Sequence, residues 1–368
     1  MNRTVLIMAG GTGGHVFPAL ALARQLRTEG WQVVWLGTSG GIEARVVPEQ
    51  GFLLETINVG GVRGKGALSA WMAPWRVLRA CFRSIGVFMQ HHPHVVVGFG
   101  GFASFPGGLA AAFLMRPLVV HEQNAVAGLT NRLLAPFASR VLAGFPAAFQ
   151  ARSTHPVSRW WPAPRRVSWV GNPVRADIAG LPSPQDRFAG REGVLELLVL
   201  GGSQGAQALN RLIPAALALI PVAVRPRVVH QGGQRWLDEL RDHYRHHEVE
   251  ADLRPFIEDM ADAYARCDLV ICRSGALTVA ELAAAGVGSI LVPFPAAVDD
   301  HQTKNAEFLE QNGAARVMPQ ATLDPVRLAS WLQETTRPAL LSMATAARAL
   351  ARPEATEAVA GVCRELAA

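Results

Sequence analysis

Short apolar runs recur along this chain, and each leads through glycine into residues with helical spacing. Val5–Met8 runs into Gly10, Gly11, Thr12, Gly13, Gly14 and His15, and Pro18 then opens a segment with Leu20, Leu22, Ala23 and Leu26. The pattern predicts strand, glycine turn, helix. Further strands are predicted at Gln32–Gly37 (its helix Ile42–Glu49), at Phe52–Val59, Val95–Val97, Leu118–His121, Val141–Ala143 and Ser168–Val170. Between Pro156 and Pro184 the alternation pauses in a run rich in Pro and Arg. It restarts at Leu195–Leu200, which ends in Gly201-Gly202-Ser203-Gln204-Gly205-Ala206 and a helix from Gln207. Val228–Gln231, Leu253–Phe256, Leu269–Cys272 and Ser289–Val292 follow as strands, with helices at Ala276–Ala285 and through Asn305.

Strands that alternate with helical segments of ordinary length predict parallel sheets. The expected class is therefore α/β, with two Rossmann-like doubly wound domains facing a deep cleft. The first is expected over residues 1–173 and the second over 174–349. A last helix near Glu354–Leu366 would carry residues 350–368 back to the first domain. Loops at the carboxyl ends of parallel strands hold ligands, and Gly10–Gly14, Gly98–Gly101 and His121–Asn124 all fall at such ends.

A glycine turn that ends at a helix start presents backbone N–H groups and the positive end of a dipole to one point, so an anion is the expected occupant. The competing reading is a tight turn with no ligand. A dinucleotide fingerprint does not fit, because no acidic residue closes a second strand at the required distance.

With 368 residues, half of them hydrophobic and 17% charged, two globular domains are expected. Residues 1–173 carry 16 Lys/Arg against 5 Asp/Glu, and the remainder 19 against 24. That asymmetry suits an anionic partner on the first half. Nucleic acid is disfavoured, because basic and aromatic residues do not interleave in a binding module. Met-Asn-Arg leads straight into the first strand, so a cytoplasmic chain is expected. Cys81, Cys267, Cys272 and Cys363 lack metal spacing and are expected as reduced thiols. Val95–Met115 is long enough to span a bilayer, yet its glycines and Pro106 favour strand, loop and buried helix. A better membrane candidate is Ala67–Val87. There Trp71, Trp75, Leu78 and Phe82 accompany Arg76, Arg79 and Arg83 at spacings that share a helix face. The alternative is a helix packed on the core with solvated arginines.

Seven motifs then occur in order: GGTGGHVFPALALA, GFGGFAS, HEQN, GNPVR, GGSQGA, CRSGALTVAEL and DDHQTKNA. In this order and spacing they closely resemble the MurG family, the UDP-N-acetylglucosamine:N-acetylmuramyl-(pentapeptide) pyrophosphoryl-undecaprenol N-acetylglucosamine transferases, to about residue 360. The resemblance implies a GT-B, inverting, metal-independent glycosyltransferase that needs no cofactor. It would make lipid II from lipid I in peptidoglycan synthesis, peripherally at the cytoplasmic face of the bacterial inner membrane. Its implied partners are UDP-GlcNAc, lipid I, anionic lipids, and proteins of division and elongation.

By resemblance, the sugar-nucleotide positions are Ser203, Ile257, the stretch Ala276, Leu277, Thr278, Val279, Ala280 and Glu281, and Gln302. Thr12, Gly13, Gly14, Asn124 and Arg175 also match UDP-GlcNAc-binding positions. The backbone at Ile257 would meet uracil, Glu281 the ribose hydroxyls and Gln302 the GlcNAc hydroxyls, while Arg175 would offset charge on the departing diphosphate. The chemistry needs a proton acceptor, for which His15 is the first candidate and Glu122 the second. The alternative for His15 is phosphate binding or loop capping. Lipid I carries a pyrophosphate, expected at Gly10, Gly11, Gly100 and Gly101 with Arg63 and Lys65 near the entrance. Rival readings are a GT-B transferase with another acceptor and a UDP-GlcNAc epimerase, which would need no acceptor.

Overall fold

The computed structural model describes residues 3–57, 73–150, 166–202 and 205–368. Two compact units divide the chain: residues 1–174 with 352–368, and residues 175–351.

In the first unit, β1 (Thr4–Ala9), β2 (Gln32–Gly37), β3 (Leu53–Thr56), β4 (Val95–Gly100), β5 (Leu118–Glu122), β6 (Arg140–Ala143) and β7 (Val167–Trp169) form one sheet. Their order is β3-β2-β1-β4-β5-β6-β7, with every neighbouring pair parallel. Helices cover both faces, so β1 and β4 are buried along their whole length, and Val5–Ala9 and Val95–Val97 read as unbroken apolar runs. The strand order reverses between β1 and β4, and Val5 pairs with both Val33 and Val95. The register slips between Met8 and Ala9, which brings Gly100 opposite Ala9.

The helix Gly13–Thr28 starts earlier than the apolar pattern suggested. Gly13, Gly14 and His15 form its first turn, where no intrahelical acceptor is needed, and Pro18 sits inside the helix. Against this helix packs Ala355–Leu366, whose Val359, Ala360 and Cys363 are buried in the same cluster as Val16 and Leu22. Arg364 holds it to Glu29 as well.

The second unit contains β8 (Glu196–Leu200), β9 (Arg227–Gln231), β10 (Asp252–Arg254), β11 (Leu269–Cys272), β12 (Ser289–Leu291) and β13 (Ala315–Val317). These strands are parallel in the order β10-β9-β8-β11-β12-β13, which reverses between β8 and β11. Its core joins Leu197, Val199, Ile271 and Ile290 to Leu209, Ile213 and Leu340 of the covering helices. Strands three to five residues long end earlier than predicted at β3 and β10, and residues 58 and 59 of the third predicted strand lie outside the described residues. All four cysteines are free thiols, three of them buried.

Candidate active site

The switch point of each sheet carries a glycine loop, which is where a doubly wound sheet leaves room for a ligand. In the first unit these are the loops that follow β1 and β4. A Cβ on Gly101 would stand 2.3 Å from the Gly10 carbonyl oxygen, so the two loops touch backbone to backbone. Gly100 has φ +100°, and a Cβ there would come within 2.9 Å of His15 Cε1. Only glycine permits both that backbone and that neighbour. Buried Ser104 ties the pair together, donating to the Met8 and Gly100 carbonyls at 3.0 and 2.7 Å.

His15 and the loop after β5 meet at this point. His15 Nδ1 is 2.8 Å from Gln123 Oε1. Gln123 Nε2 lies 3.0 Å from His121 Nδ1 and 2.9 Å from the His121 carbonyl. His121 Nε2 is 3.0 Å from the Gly171 carbonyl. Both His121 and Gln123 are buried, and burial pushes the His121 imidazole down to about 4 against the smaller upward pull of the Gly171 carbonyl and Glu122.

Glu122, the second candidate base, is committed elsewhere. Its carboxylate accepts from the Asn124 and Gly128 N–H groups at 2.9 and 3.0 Å and from Asn131 Nδ2 at 2.8 Å, and it is 1% exposed. The side-chain amide of Asn124 also donates to it at 3.2 Å. A carboxylate holding four donors suits an anchor for the loop, not a proton acceptor.

The pyrophosphate expectation changes too. Buried Glu43 accepts from the Gly11 N–H at 3.0 Å and from the Thr38 N–H and hydroxyl at 3.0 and 2.6 Å. Burial alone would raise its carboxyl, but these donors outweigh it and hold the group below its usual range. An ionised carboxylate therefore backs Gly10 and occupies the Gly11 N–H, which removes Gly11 as an anion donor. The first-turn N–H groups at Gly13 and Gly14, with Thr12 as N-cap, are the donors that helix geometry leaves for an anion.

In the second unit the helix Ala276–Ala285 begins directly after β11, with Gly275 as N-cap and no acidic residue in its first turn. Ala276, Leu277 and Thr278 present that N-terminus, and Val279 and Ala280 carry it to Glu281. Glu281 Oε2 accepts from the Tyr264 hydroxyl at 3.2 Å, and Oε1 is 3.9 Å from Arg175 Nε. Burial raises this carboxyl, while Arg175 and then Tyr264 pull it back. Arg175 is the first residue of the second unit, so its pairing with Glu281 is local to that unit.

Buried Gln231, at the end of β9, accepts from the Gly202 N–H at 3.1 Å and donates to the Gly202 and Pro255 carbonyls at 3.1 Å. It thus fixes the loop after β8 to the segment that leads to buried Ile257. Gln302 accepts from the Phe294 N–H at 2.9 Å, so its NH2 end is the one a sugar would meet. Asn305 holds the same helix to the Ser274 carbonyl at 3.1 Å.

The helix Ala73–His91 buries Ala80, Ser84, Val87 and Phe88. Opposite them it exposes Trp75 and Phe82, each 66% accessible, together with Leu78, Met89, Arg79 and Arg83, while Arg76 is half-buried. The helix thus packs on the core by one face and leaves an aromatic and basic face open. No helix among the described residues is long and apolar enough to cross a membrane. Trp71, Arg63, Lys65 and Ser203 lie outside the described residues.

Glu43, Gln123, Gln231 and Tyr264 escaped the sequence reading. Each acts on a loop more than fifteen residues away, or through a partner that only the fold supplies.

Residues 5–143 match the glycosyltransferase family 28 N-terminal domain, and residues 196–359 the C-terminal domain of that family. A relative from Ralstonia nicotianae is 53% identical over 99% of this chain and 96% of its own length. One from Aromatoleum aromaticum is 54% identical over 100% and 98%. Both are named UDP-N-acetylglucosamine–N-acetylmuramyl-(pentapeptide) pyrophosphoryl-undecaprenol N-acetylglucosamine transferase. The crystal structure of Acinetobacter baumannii MurG is 39% identical, with a TM-score of 0.85 over 99% of each chain.

Proposed function

The chain belongs to glycosyltransferase family 28, and on that premise we propose which of its residues carry the reaction. Its two Rossmann-like units are a GT-B fold. The reaction is transfer of GlcNAc from UDP-GlcNAc to lipid I, giving lipid II in peptidoglycan synthesis. One observation carries this: identity above one half with transferases of that activity, over essentially the whole chain.

The C4 hydroxyl of the muramyl sugar attacks the anomeric carbon of the α-linked GlcNAc. The bond from that carbon to the UDP oxygen breaks, the product is β-linked, and the hydroxyl proton must leave. His15 accepts it, because it stands at the first glycine loop and its imidazole is positioned by Gln123. In the second unit the N-terminus of Ala276–Ala285 stabilises the charge on the departing diphosphate, and Arg175 supports it. Glu281 accepts from the ribose hydroxyls with the oxygen that Tyr264 leaves open. The Ile257 backbone meets the uracil and Gln302 the GlcNAc. In the first unit the Gly13 and Gly14 N–H groups and the loop at Gly100 and Gly101 hold the acceptor pyrophosphate.

The exposed face of Ala73–His91 rests in anionic lipid at the cytoplasmic side of the inner membrane, with Trp75, Leu78 and Phe82 among the headgroups and Arg79 and Arg83 meeting phosphate. The test is UDP release from UDP-GlcNAc with and without a lipid I analogue, in EDTA. Strict dependence on the analogue and a β-1,4 disaccharide are expected. Turnover without an acceptor would point to an epimerase or hydrolase instead.

A further inference from the structure

Two backbone carbonyls fix the direction of a buried hydrogen-bond chain that ends on His15. A carbonyl oxygen accepts and never donates. His121 Nε2 faces the Gly171 carbonyl at 3.0 Å, so that nitrogen carries the proton. A neutral imidazole has only one N–H, which leaves His121 Nδ1 with a lone pair that accepts from Gln123 Nε2 at 3.0 Å. Gln123 Nε2 also faces the His121 carbonyl at 2.9 Å, and a flipped carboxamide would set oxygen against oxygen there. Gln123 Oε1 is therefore the atom turned to His15 Nδ1 at 2.8 Å, and Nδ1 must donate.

We propose that Gln123, locked by His121, is a positioning residue that holds His15 in its Nδ1–H tautomer and so makes Nε2 the atom that accepts the C4 hydroxyl proton. This rests on the reading of His15 as proton acceptor. When the hydroxyl proton moves to Nε2, the Nδ1–H bond to Gln123 stays in place. The ring then neither turns nor exchanges partners during the step.

The surroundings make the relay rigid. His121 is fully buried and Gln123 is 1% exposed, so water has no access to replace either bond. The Gln123 carbonyl accepts from Asn172 Nδ2 at 2.9 Å, and Asn131 Nδ2 donates to the His121 carbonyl at 3.2 Å. Phe99 lies against the His121 ring with 5.2 Å between centroids. A second proton on His121 would point an N–H at the Gln123 NH2. Burial already keeps the ring neutral, its imidazole pushed down to about 4. Gly171 has φ +88° and packs against Arg352, which fixes the far end of the chain.

The test is ¹⁵N NMR of the full-length protein labelled at its 11 histidines, with His15 and His121 assigned by loss of signal in His15→Gln and His121→Gln. Neutral His15 is expected as the Nδ1–H form, the minority tautomer of free imidazole, and His121 as Nε2–H. Gln123→Met removes all three hydrogen bonds of the Gln123 side chain with little change in volume. His15 should revert to Nε2–H and kcat should fall tenfold or more, with the KM for UDP-GlcNAc within about threefold of wild type. Gln123→Glu keeps an acceptor at His15 Nδ1, so the Nδ1–H form should persist and kcat should exceed that of the Met variant. His121, now facing a carboxylate, should take up its second proton. Neutral His15 found as Nε2–H in the wild type would overturn the proposal, as would Gln123→Met with unchanged tautomer and kcat. His15→Ala with undiminished kcat, beside an intact Nδ1–H signal in the wild type, would overturn the proton-acceptor reading and leave the relay standing.

Discussion

Glu281 offers a perturbation whose effects on binding and stability should run in opposite directions. Its carboxylate is about one-fifth exposed, with Tyr264 on Oε2 at 3.2 Å and Arg175 only at 3.9 Å. Burial dominates and raises its pKa. A carboxyl whose folded-state pKa is raised costs stability as pH rises through the unfolded value, so ionising Glu281 works against folding. Glu281→Gln removes that charge and keeps an oxygen for Tyr264, so the melting temperature should hold or rise. Donor affinity should fall. Hydrogen bonds to a charged acceptor contribute about 1.5–3 kcal/mol, which corresponds to roughly 10–150-fold in Kd. Gln, which still accepts one bond, should lie near the lower end and Glu281→Ala near the upper. Calorimetric titration with UDP-GlcNAc measures this, and a donor lacking both ribose hydroxyls supplies the second arm of a cycle. The wild type should lose affinity for that analogue, whereas Glu281→Ala should bind both alike. If Glu281→Ala, folded by its melting curve, binds UDP-GlcNAc within about twofold of wild type, Glu281 does not carry the ribose.

Four further outcomes follow from other parts of the fold. His15→Ala should lower kcat by about 10²–10⁴, the range for a general base, with donor KM nearly unchanged; equal turnover would exclude it as the acceptor. Gly100→Ala places a Cβ 2.9 Å from His15 Cε1 at a backbone angle of +100°, so kcat should fall while UDP binding to the second unit is kept, and full activity would refute the close approach. Trp75→Ser with Phe82→Ser should release the protein from anionic vesicles, by about tenfold in partition per ring at 1.5 kcal/mol or more each; retention in flotation would count against the membrane face. Burial holds His121 at about 4 and His230 at about 3 in the folded chain, against 6.5 for the free group. Stability from both is full above the unfolded value and is lost as pH falls below it. That loss is about 3 kcal/mol for His121 and 5 for His230 once pH lies under the folded values. Urea midpoints that stay level from pH 7 to pH 4.5 would contradict this.

Periodicity and glycine placement made the architecture legible. Val5–Ala9 of β1, Val95–Val97 of β4 and Leu197–Leu200 of β8 are continuous apolar runs because helices cover both faces of their sheets. The glycine loops announced themselves where those strands end. What the pattern could not supply was the side of each loop that a ligand can reach. Glu43 is one of only five acidic residues in 1–173, yet nothing near it in the sequence ties it to Gly11, thirty-two residues earlier. Tyr264 and Gln231 likewise reach Glu281 and Gly202 only through sheet order.

The HEQN stretch shows how a finer reading would have separated roles that the motif lumps together. β5 ends at Glu122, and extended backbone sends alternate side chains to opposite sides. His121 and Gln123 therefore fall together and continue into His15, while Glu122 turns the other way and gathers Asn124, Gly128 and Asn131. Two carboxylate-or-imidazole candidates for one proton thus belong to two devices. One holds the loop in shape and the other sets which nitrogen of His15 is free. The same alternation makes the two devices separable by substitution. Glu122→Gln places an N–H₂ against two of the four donors that converge on the carboxylate, so it should loosen the loop and weaken catalysis through geometry, leaving the His15 tautomer as in the wild type. Gln123→Met should do the reverse, changing the tautomer in a loop that keeps its anchor. A shared loss of the Nδ1–H signal in both variants would show that the loop, and not the relay, orients His15.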